Sequence, residues 1–325
     1  MEAILLIGHG SRDQEGNEEM LRFAESVKAH ANGKWVETCF LELASPNIPQ
    51  GIAHCVEAGA TRIVLIPIIL FAAGHSKIHI PLEIDRAKAK YPHVIFAYGQ
   101  PIGIHQKVLD ILTSRLTEAG YSDNMQASER NPDTAVLLLG RGSSDADANS
   151  NFLKMARLLW EQLPVKWVES SFIGVTEPSY SEGLERCKLL GAKNIYVLPY
   201  FLFTGVLIKR IEIMTAEFAE AHPDINVELA GYFGFHPSLV QLLLDRVDEA
   251  LEGRALMNCD MCKYRLEAAD AHHHHHHDHD HHEHHDHGHN HSEQHHTHDD
   301  HDHDHDHEHH GHDHVSPKRN QEVKL

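Results

Sequence analysis

Ala3-Ile4-Leu5-Leu6-Ile7-Gly8-His9-Gly10-Ser11 decides how the chain reads. Five apolar residues running into a Gly-His-Gly-Ser turn describe a buried strand with a histidine at its carboxyl end. In open α/β sheets ligands bind at the carboxyl ends of the strands. The glycines allow a tight turn and a close backbone approach, and Ser11 is placed to cap the next helix. A histidine between two glycines is either a turn residue or a ligand, and this stretch does not separate the two. A second histidine, His75, stands in the same topological position two strands later.

Working outward, the chain matches itself at a shift of 132 residues. Gly8-His9-Gly10-Ser11 falls on Gly140-Arg141-Gly142-Ser143, and Lys34-Trp35-Val36-Glu37 falls on Lys166-Trp167-Val168-Glu169. Pro46 meets Pro178, Gly51 meets Gly183, Cys55 meets Cys187 and Pro67 meets Pro199. After one deletion the shift is 131, so that Pro92 meets Pro223 and His105 meets His236. The chain holds two copies of one domain.

Each copy alternates short apolar strands with helical patterns. Ala3–Ile7, Trp35–Leu41, Arg62–Pro67 and Val94–Tyr98 read as strands in the first copy. Segments near Glu15–His30, Ile48–Ala58, Ile78–Lys90 and His105–Glu118 read as helices. The second copy repeats the strands near Ala135–Leu139, Val165–Phe172, Asn194–Pro199 and Asn226–Ala230, after a polar linker at Tyr121–Asp133. Continuous apolar strands separated by helices imply a parallel sheet covered on both faces. The expected fold is therefore α/β, with two duplicated doubly wound parallel-sheet domains at 1–120 and 134–252 and a ligand cleft between the sheets. A segment at 253–270 carries Met257-Asn258-Cys259-Asp260-Met261-Cys262. The remainder, 271–325, is a low-complexity His/Asp-rich tail too polar to bury a core, and disorder is expected there.

The net charge of −20 argues against a nucleic-acid partner. Twelve carboxylates and no Lys or Arg lie between His272 and His314, leaving a body charge near −8. The amino terminus lacks a basic n-region, and no apolar stretch is long enough to span a bilayer, so no membrane association is expected. Five cysteines without a secretory signal do not suggest a disulfide framework, and a cytoplasmic location is expected.

The copies differ where chemistry is expected. His9 of the first copy becomes Arg141 in the second. Leu70-Phe71-Ala72-Ala73-Gly74-His75 becomes Leu202-Phe203-Thr204-Gly205-Val206-Leu207. Loops at the ends of adjacent parallel strands can bring two imidazoles within several ångströms. With a nearby carboxylate, such a pair suits a divalent first-row metal and can take protons at neutral pH. Structural turn histidines remain the alternative reading.

The Gly-His-Gly-Ser strand end, the Leu-Phe-x-x-Gly-His loop followed by Ile80-Pro81, and the two-copy layout resemble the CbiX/SirB group of class II tetrapyrrole chelatases. The Met-x-Cys-x-x-Cys element and the histidine-rich tail resemble its long-form CbiX cobaltochelatases. The resemblance implies insertion of Co²⁺ into sirohydrochlorin in the anaerobic cobalamin route, without a nucleotide. It makes His9 and His75 the metal-binding and proton-accepting pair. Glu42, Leu70, Phe71, Ala72, Ala73, Gly74 and His75 would then contact the macrocycle, and His79 and Glu83 follow on the same helix. Sirohydrochlorin carries eight carboxylates, for which Ser11, Arg12, Lys77, Arg141, Ser143, Lys209 and Arg210 are candidate partners. The long forms also imply a [4Fe–4S] cluster at Cys259 and Cys262. One Cys-x-x-Cys supplies two thiolates where four are usual, so other ligand types or a second chain are needed, and a homodimer is one expected assembly. Cys39, Cys55 and Cys187 lie within strand or helix patterns and read as core residues.

The tail holds 25 of the 34 histidines. Imidazoles with interspersed carboxylates bind Co²⁺, Ni²⁺, Zn²⁺ and Cu²⁺, weakening below pH ~6.5 as the rings protonate. Iron insertion for sirohaem is the nearest alternative function. A metal-storage or metallochaperone protein, with the tail as the active part, is another. A redox role for Cys259 and Cys262 is a third.

Overall fold

The computed structural model describes residues 1–122 and 130–254, with His75 described by its backbone alone. Cys259, Cys262 and the histidine-rich tail lie outside the described residues. One parallel sheet contains β1 (Glu2–Gly8), β2 (Trp35–Phe40), β3 (Arg62–Ile68) and β4 (Ile95–Tyr98) in the order β2-β1-β3-β4. The other contains β5 (Asn131–Gly140), β6 (Val165–Phe172), β7 (Asn194–Pro199) and β8 (Asn226–Leu229) in the order β6-β5-β7-β8. Equivalent strands hold equivalent places, so the sequence repeat is a repeat of topology. Connecting helices in the first copy are α1 (Gln14–Ala29), α2 (Ile48–Glu57), α3 (Gly74–Lys90) and α4 (Gln106–Glu118). The second copy has α5 (Ala146–Gln162), α6 (Tyr180–Leu189), α7 (Val206–Ala221) and α8 (Pro237–Leu251). β1 lies directly beside β3, with Gly8 opposite Ile68, so the chain leaves both strands at the same end of the sheet.

Strand side chains alternate between faces, and the core follows that alternation. Ile4 and Leu6 of β1, with Val136 and Leu138 of β5, join one large core shared by both copies. Ala3, Leu5 and Ile7 face the outer core with α2 and α3, and Ala135, Leu137 and Leu139 face its counterpart. Each fully buried Leu or Ile contributes roughly 1.5–3 kcal/mol of transfer free energy. Both faces of both sheets are covered, which explains why β1 and β5 are apolar throughout.

The shared core has an unexpected construction. α4, the last helix of the first copy, packs against α5 and β7 of the second. α8, the last helix of the second copy, packs against β3, β4 and α1 of the first. Matched arginines fasten both: Arg115 on α4 donates to the Phe233 carbonyl at 2.8 Å, and Arg246 on α8 donates to the Pro101 and Ile102 carbonyls at 3.1 and 2.8 Å.

The matched histidines His105 and His236 are the amino-terminal caps of α4 and α8. Their Nδ1 atoms accept from the Lys107 and Ser238 backbone N–H groups at 3.0 and 3.1 Å. An accepting Nδ1 must be unprotonated. Burial, helped by Arg246 and Lys107, lowers the His105 pKa, and burial with Arg115 lowers that of His236. Both rings are thus harder to protonate in the folded state than in the unfolded one. Their contribution to stability is complete above about pH 6.5 and is lost as pH falls from there toward the lowered values. Replacing both by asparagine keeps a capping side chain and should flatten the fall in Tm between pH 7 and pH 5. An unchanged slope in thermal melts would show that the caps do not sense acid.

Three local expectations need correction. Ser11 does not cap α1: its hydroxyl accepts from the Asp13 N–H, and Asp13 caps the helix by accepting from the Glu15 N–H. α3 begins at Gly74, four residues before the expected start. Ala73 is no capping residue, but the Ser76 hydroxyl accepts from its N–H at 3.1 Å and donates to its carbonyl at 2.9 Å, closing the first turn. β5 begins at Asn131, inside the expected linker. The Asn131 N–H bonds to the Pro164 carbonyl at 2.8 Å, and an irregularity in register before Ala135 absorbs the extra residues.

Candidate functional site

His9 follows the last residue of β1 and is held by backbone geometry. Beyond the strands the ladder continues: the Leu41 N–H donates to Gly8 and the Glu42 N–H to His9, at 2.8 and 3.1 Å. Gly10 then turns with φ +88°, and a Cβ there would lie 1.8 Å from the Glu42 carbonyl oxygen. This is the close approach that the Gly-His-Gly pattern implies. Leu43 also adopts a positive φ, 63°, which reverses the chain so that the Ala44 N–H meets the Glu42 carbonyl. A bulky residue in that region is strained and persists only when its surroundings fix it. The result is a defined pair, with His9 Nε2 3.6 Å from Glu42 Oε1. Nδ1 lies 3.2 Å from the Gly10 carbonyl. A proton on Nδ1 donates there and leaves Nε2 as a lone pair beside the carboxylate.

His75 lies in the first turn of α3, after the loop that leaves β3. That loop is pinned at its start, because the Ile102 and Gly103 N–H groups donate to the Ile69 and Leu70 carbonyls. Leu70, Phe71 and Ala73 line a cavity of about 280 Å³ together with His9, Leu41, Arg141 and Tyr200. A second cavity of about 730 Å³ adjoins it and is reached by His9, Ser11, Arg12, Glu42 and Arg141. His9 and Arg141, equivalents in the two copies, border both cavities, so the cleft runs between the carboxyl ends of the two sheets. Its far wall comes from Phe201, Leu202 and Phe203 of the second copy. Leu43 and Val175, also equivalents, are exposed apolar residues at its edge.

The expected carboxylate partners divide into two groups. Arg12, Arg141 and Arg210 are exposed and have no ion pair among the described residues, and Arg12 and Arg141 border the cleft. Lys77 and Lys209 are already engaged. Lys77 pairs with Asp145 and Asp147 of the second copy, and Lys209 pairs with Asp13 and Glu15 of the first. These are symmetric ties between copies, and they take both lysines out of the substrate candidates. Ser143 and Asn149 also have structural work: the Ser143 N–H and C=O bond to the Asn149 amide, as Ser11 does with Asn17. His79 lies on the exposed side of α3, and Glu83 pairs with Arg86.

One feature of the site escaped sequence reasoning. The counterpart of Glu42 is Gly174, so the second copy lacks the carboxylate as well as both histidines. A Cβ at Gly174 would lie 2.7 Å from the Arg141 carbonyl oxygen. The aligned copies contain this signal in the single pairing of Glu42 with Gly174. Glu19 was missed too; it is buried, and accepts from the Thr204 N–H at 2.8 Å and the Tyr232 hydroxyl at 2.9 Å, fixing the second copy's loop.

Fold and cleft together define a chelatase-like protein, duplicated within one chain. SirB from Bacillus subtilis with Fe³⁺ superposes with a TM-score of 0.67 and 37% identity, over 78% of this chain and 98% of that one. The CbiX family model matches residues 3–119 and again 135–250. The chain belongs to the CbiX family. A sirohydrochlorin cobaltochelatase of Priestia megaterium is 55% identical over 82% of this chain and 85% of its own. A sirohydrochlorin ferrochelatase of the same organism is 37% identical over 78% of this chain and 92% of its own.

Proposed function

We propose that the protein is a nucleotide-independent metal chelatase that inserts Co²⁺ into sirohydrochlorin, releasing two protons, as a step of cobalamin synthesis. The observation that carries this reading is the His9–Glu42 pair, held by the backbone at a cleft whose opposite wall presents Arg141. Insertion removes two pyrrole N–H protons as the metal enters, so a base must stand beside the metal. His9 and His75 are ligands for the incoming ion, and as it passes to the pyrrole nitrogens the two freed imidazoles take one proton each. Glu42 stabilises the His9 imidazolium that follows proton uptake. Few protein ligands leave the metal free to pass to four pyrrole nitrogens. The apolar residues Leu41, Leu70, Phe71, Phe201 and Leu202 suit the macrocycle face, with Ala72, Ala73 and Gly74 presenting little bulk from the loop. Arg12 and Arg141 suit its carboxylate arms. The greater identity to a cobaltochelatase than to a ferrochelatase supports cobalt over iron.

The histidine-rich tail is read as a metal reservoir close to the cleft. The [4Fe–4S] cluster fits this chain poorly. Cys39, Cys55 and Cys187 are free thiols buried in the outer cores, and burial pushes Cys55 and Cys187 up to about 12 and raises Cys39 as well. Thiols held protonated are poor ligands. Only Cys259 and Cys262 are then left in one chain, and a homodimer is the assembly that would gather four thiolates. No step of insertion is assigned to a cluster. Three free thiols also support a cytoplasmic enzyme.

Anaerobic metalation of sirohydrochlorin, followed by absorbance, tests the reading. Co²⁺ and Fe²⁺ are compared with the full chain and with a chain ending at Arg254. Cobalt insertion above the uncatalysed rate by both chains, and faster than iron, is expected. Faster iron insertion makes the protein a ferrochelatase. No acceleration of either metal overturns the chelatase reading and leaves metal storage.

A further inference from the structure

The two ties between the copies are related by the repeat but are not equally buried. Lys77 lies 2.8 Å from Asp145, with side chains 7% and 5% exposed. Its counterpart Lys209 lies 2.9 Å from Asp13, with side chains 49% and 13% exposed. An exposed pair contributes little, whereas a buried pair carries a large desolvation cost and often adds no stability over apolar residues of similar volume. What a buried pair does supply is geometry: each charge confines the other to one position. The buried tie is the one beside the site. Lys77 stands two residues after His75, in the same first turn of α3. The exposed tie holds α7, where the residue equivalent to His75 is Leu207.

Asp145 is a rigid anchor. One of its oxygens accepts from the Asp147 N–H at 3.0 Å, which caps α5, and its own N–H donates to the Ser143 hydroxyl at 3.0 Å. The Asn149 amide fixes Ser143 in turn. An unbroken chain of hydrogen bonds thus runs from the second copy's turn, through Asp145 and Lys77, to the turn carrying His75.

We propose that Asp145 is a positioning residue for insertion: acting through Lys77, it fixes the turn that carries His75 relative to His9 and Glu42. The second copy, which lacks the histidines, thereby sets the geometry of the first copy's metal-handling pair. This inference rests on the reading of His75 as a member of that pair. Small misplacements of reacting groups lower rates by up to about 100-fold.

The test uses the full chain and cobalt insertion into sirohydrochlorin. Asp145→Asn is expected to lower kcat by about 10- to 100-fold with KM within twofold of wild type. Lys209→Met, at the exposed tie, should leave kcat unchanged. Asp145→Asn also removes a partner of a buried charge and lowers Tm, so a second variant separates fold from position. Lys77→Met combined with Asp145→Asn removes both charges of the pair, keeps a capping side chain on α5 and should restore most of the Tm. If kcat stays low in that variant, the tie positions the turn. If kcat recovers with Tm, Asp145 is merely structural and the inference is overturned. His75→Ala runs alongside. Full turnover in His75→Ala overturns the reading of the pair itself. Lost turnover there, beside unchanged kcat in Asp145→Asn, overturns the positioning role alone.

Discussion

His9→Ala is expected to lower kcat for cobalt insertion by about 100-fold or more, with a much smaller change in KM for the macrocycle. General-base groups contribute about 10²- to 10⁴-fold, and His9 is also a ligand for the entering metal, so the loss lies at or above the lower end of that range. The apolar walls and the arginines remain, which is why binding is largely retained. Arg141→Ala should do the reverse, raising KM with little change in kcat, because a contact to a carboxylate arm is made equally before and during insertion. Steady-state kinetics on both variants distinguish the two walls of the cleft. A storage protein would show neither effect, since its metal uptake would reside in the tail. Retained turnover in His9→Ala would remove the imidazole from the chemistry and leave Glu42 as the base to examine.

Gly10→Ala should be among the most destabilising single substitutions in the chain, by about 3 kcal/mol or more in urea denaturation. Two costs combine. A non-glycine residue at φ +88° loses about 1–2 kcal/mol through backbone sterics alone. The added methyl would also stand 1.8 Å from the Glu42 carbonyl oxygen, so that the strand-end turn must open to admit it. Gly33 provides the control: its φ is +76°, and nothing lies within 4 Å of an added Cβ, so Gly33→Ala should cost only the backbone part. Opening the turn moves Glu42 away from His9, and turnover should fall as well. Equal denaturation midpoints for the two variants would mean that the contact with Glu42 yields easily and that the turn does not fix the pair.

Periodicity and repetition made the scaffold readable. Ala3–Ile7 is apolar because both faces of β1 are covered, and the match of Gly8–Ser11 with Gly140–Ser143 is a match of strand ends. The neighbouring positions of β1 and β3 follow from the same logic, and with them the shared end from which His9 and the loop toward His75 emerge. Charge pairing was not readable in this way. Lys77 and Lys209 look like cations waiting for an anion because their partners, Asp145 and Asp13, stand in the other copy, 68 and 196 residues away. Spacing along one helix carries no trace of such contacts. The repeat carried a hint, since both members of each pair recur at the same shift. The start of α3 was misplaced for a local reason: a serine three residues inside the helix replaces the capping side chain that Ala73 lacks. Nor does the order of strands and helices reveal which sheet α4 and α8 cover.

The placement of those two helices bears on how the chain came about and how it comes apart. A reciprocal trade of terminal elements between two like units is a domain swap, ordinarily a property of dimers. Here the trade is internal, as expected if two interlocked subunits became joined end to end. Each unit leaves part of its own sheet to be covered by its twin, so neither has a complete interior alone. Melting should accordingly be a single cooperative transition, and a polypeptide ending after Glu118 should remain largely unfolded until the other half is supplied. Joining also breaks the equivalence of the partners. A symmetric dimer must keep every catalytic group on both subunits, whereas in the fused chain an arginine can stand at position 141 on one wall while His9 is kept on the other.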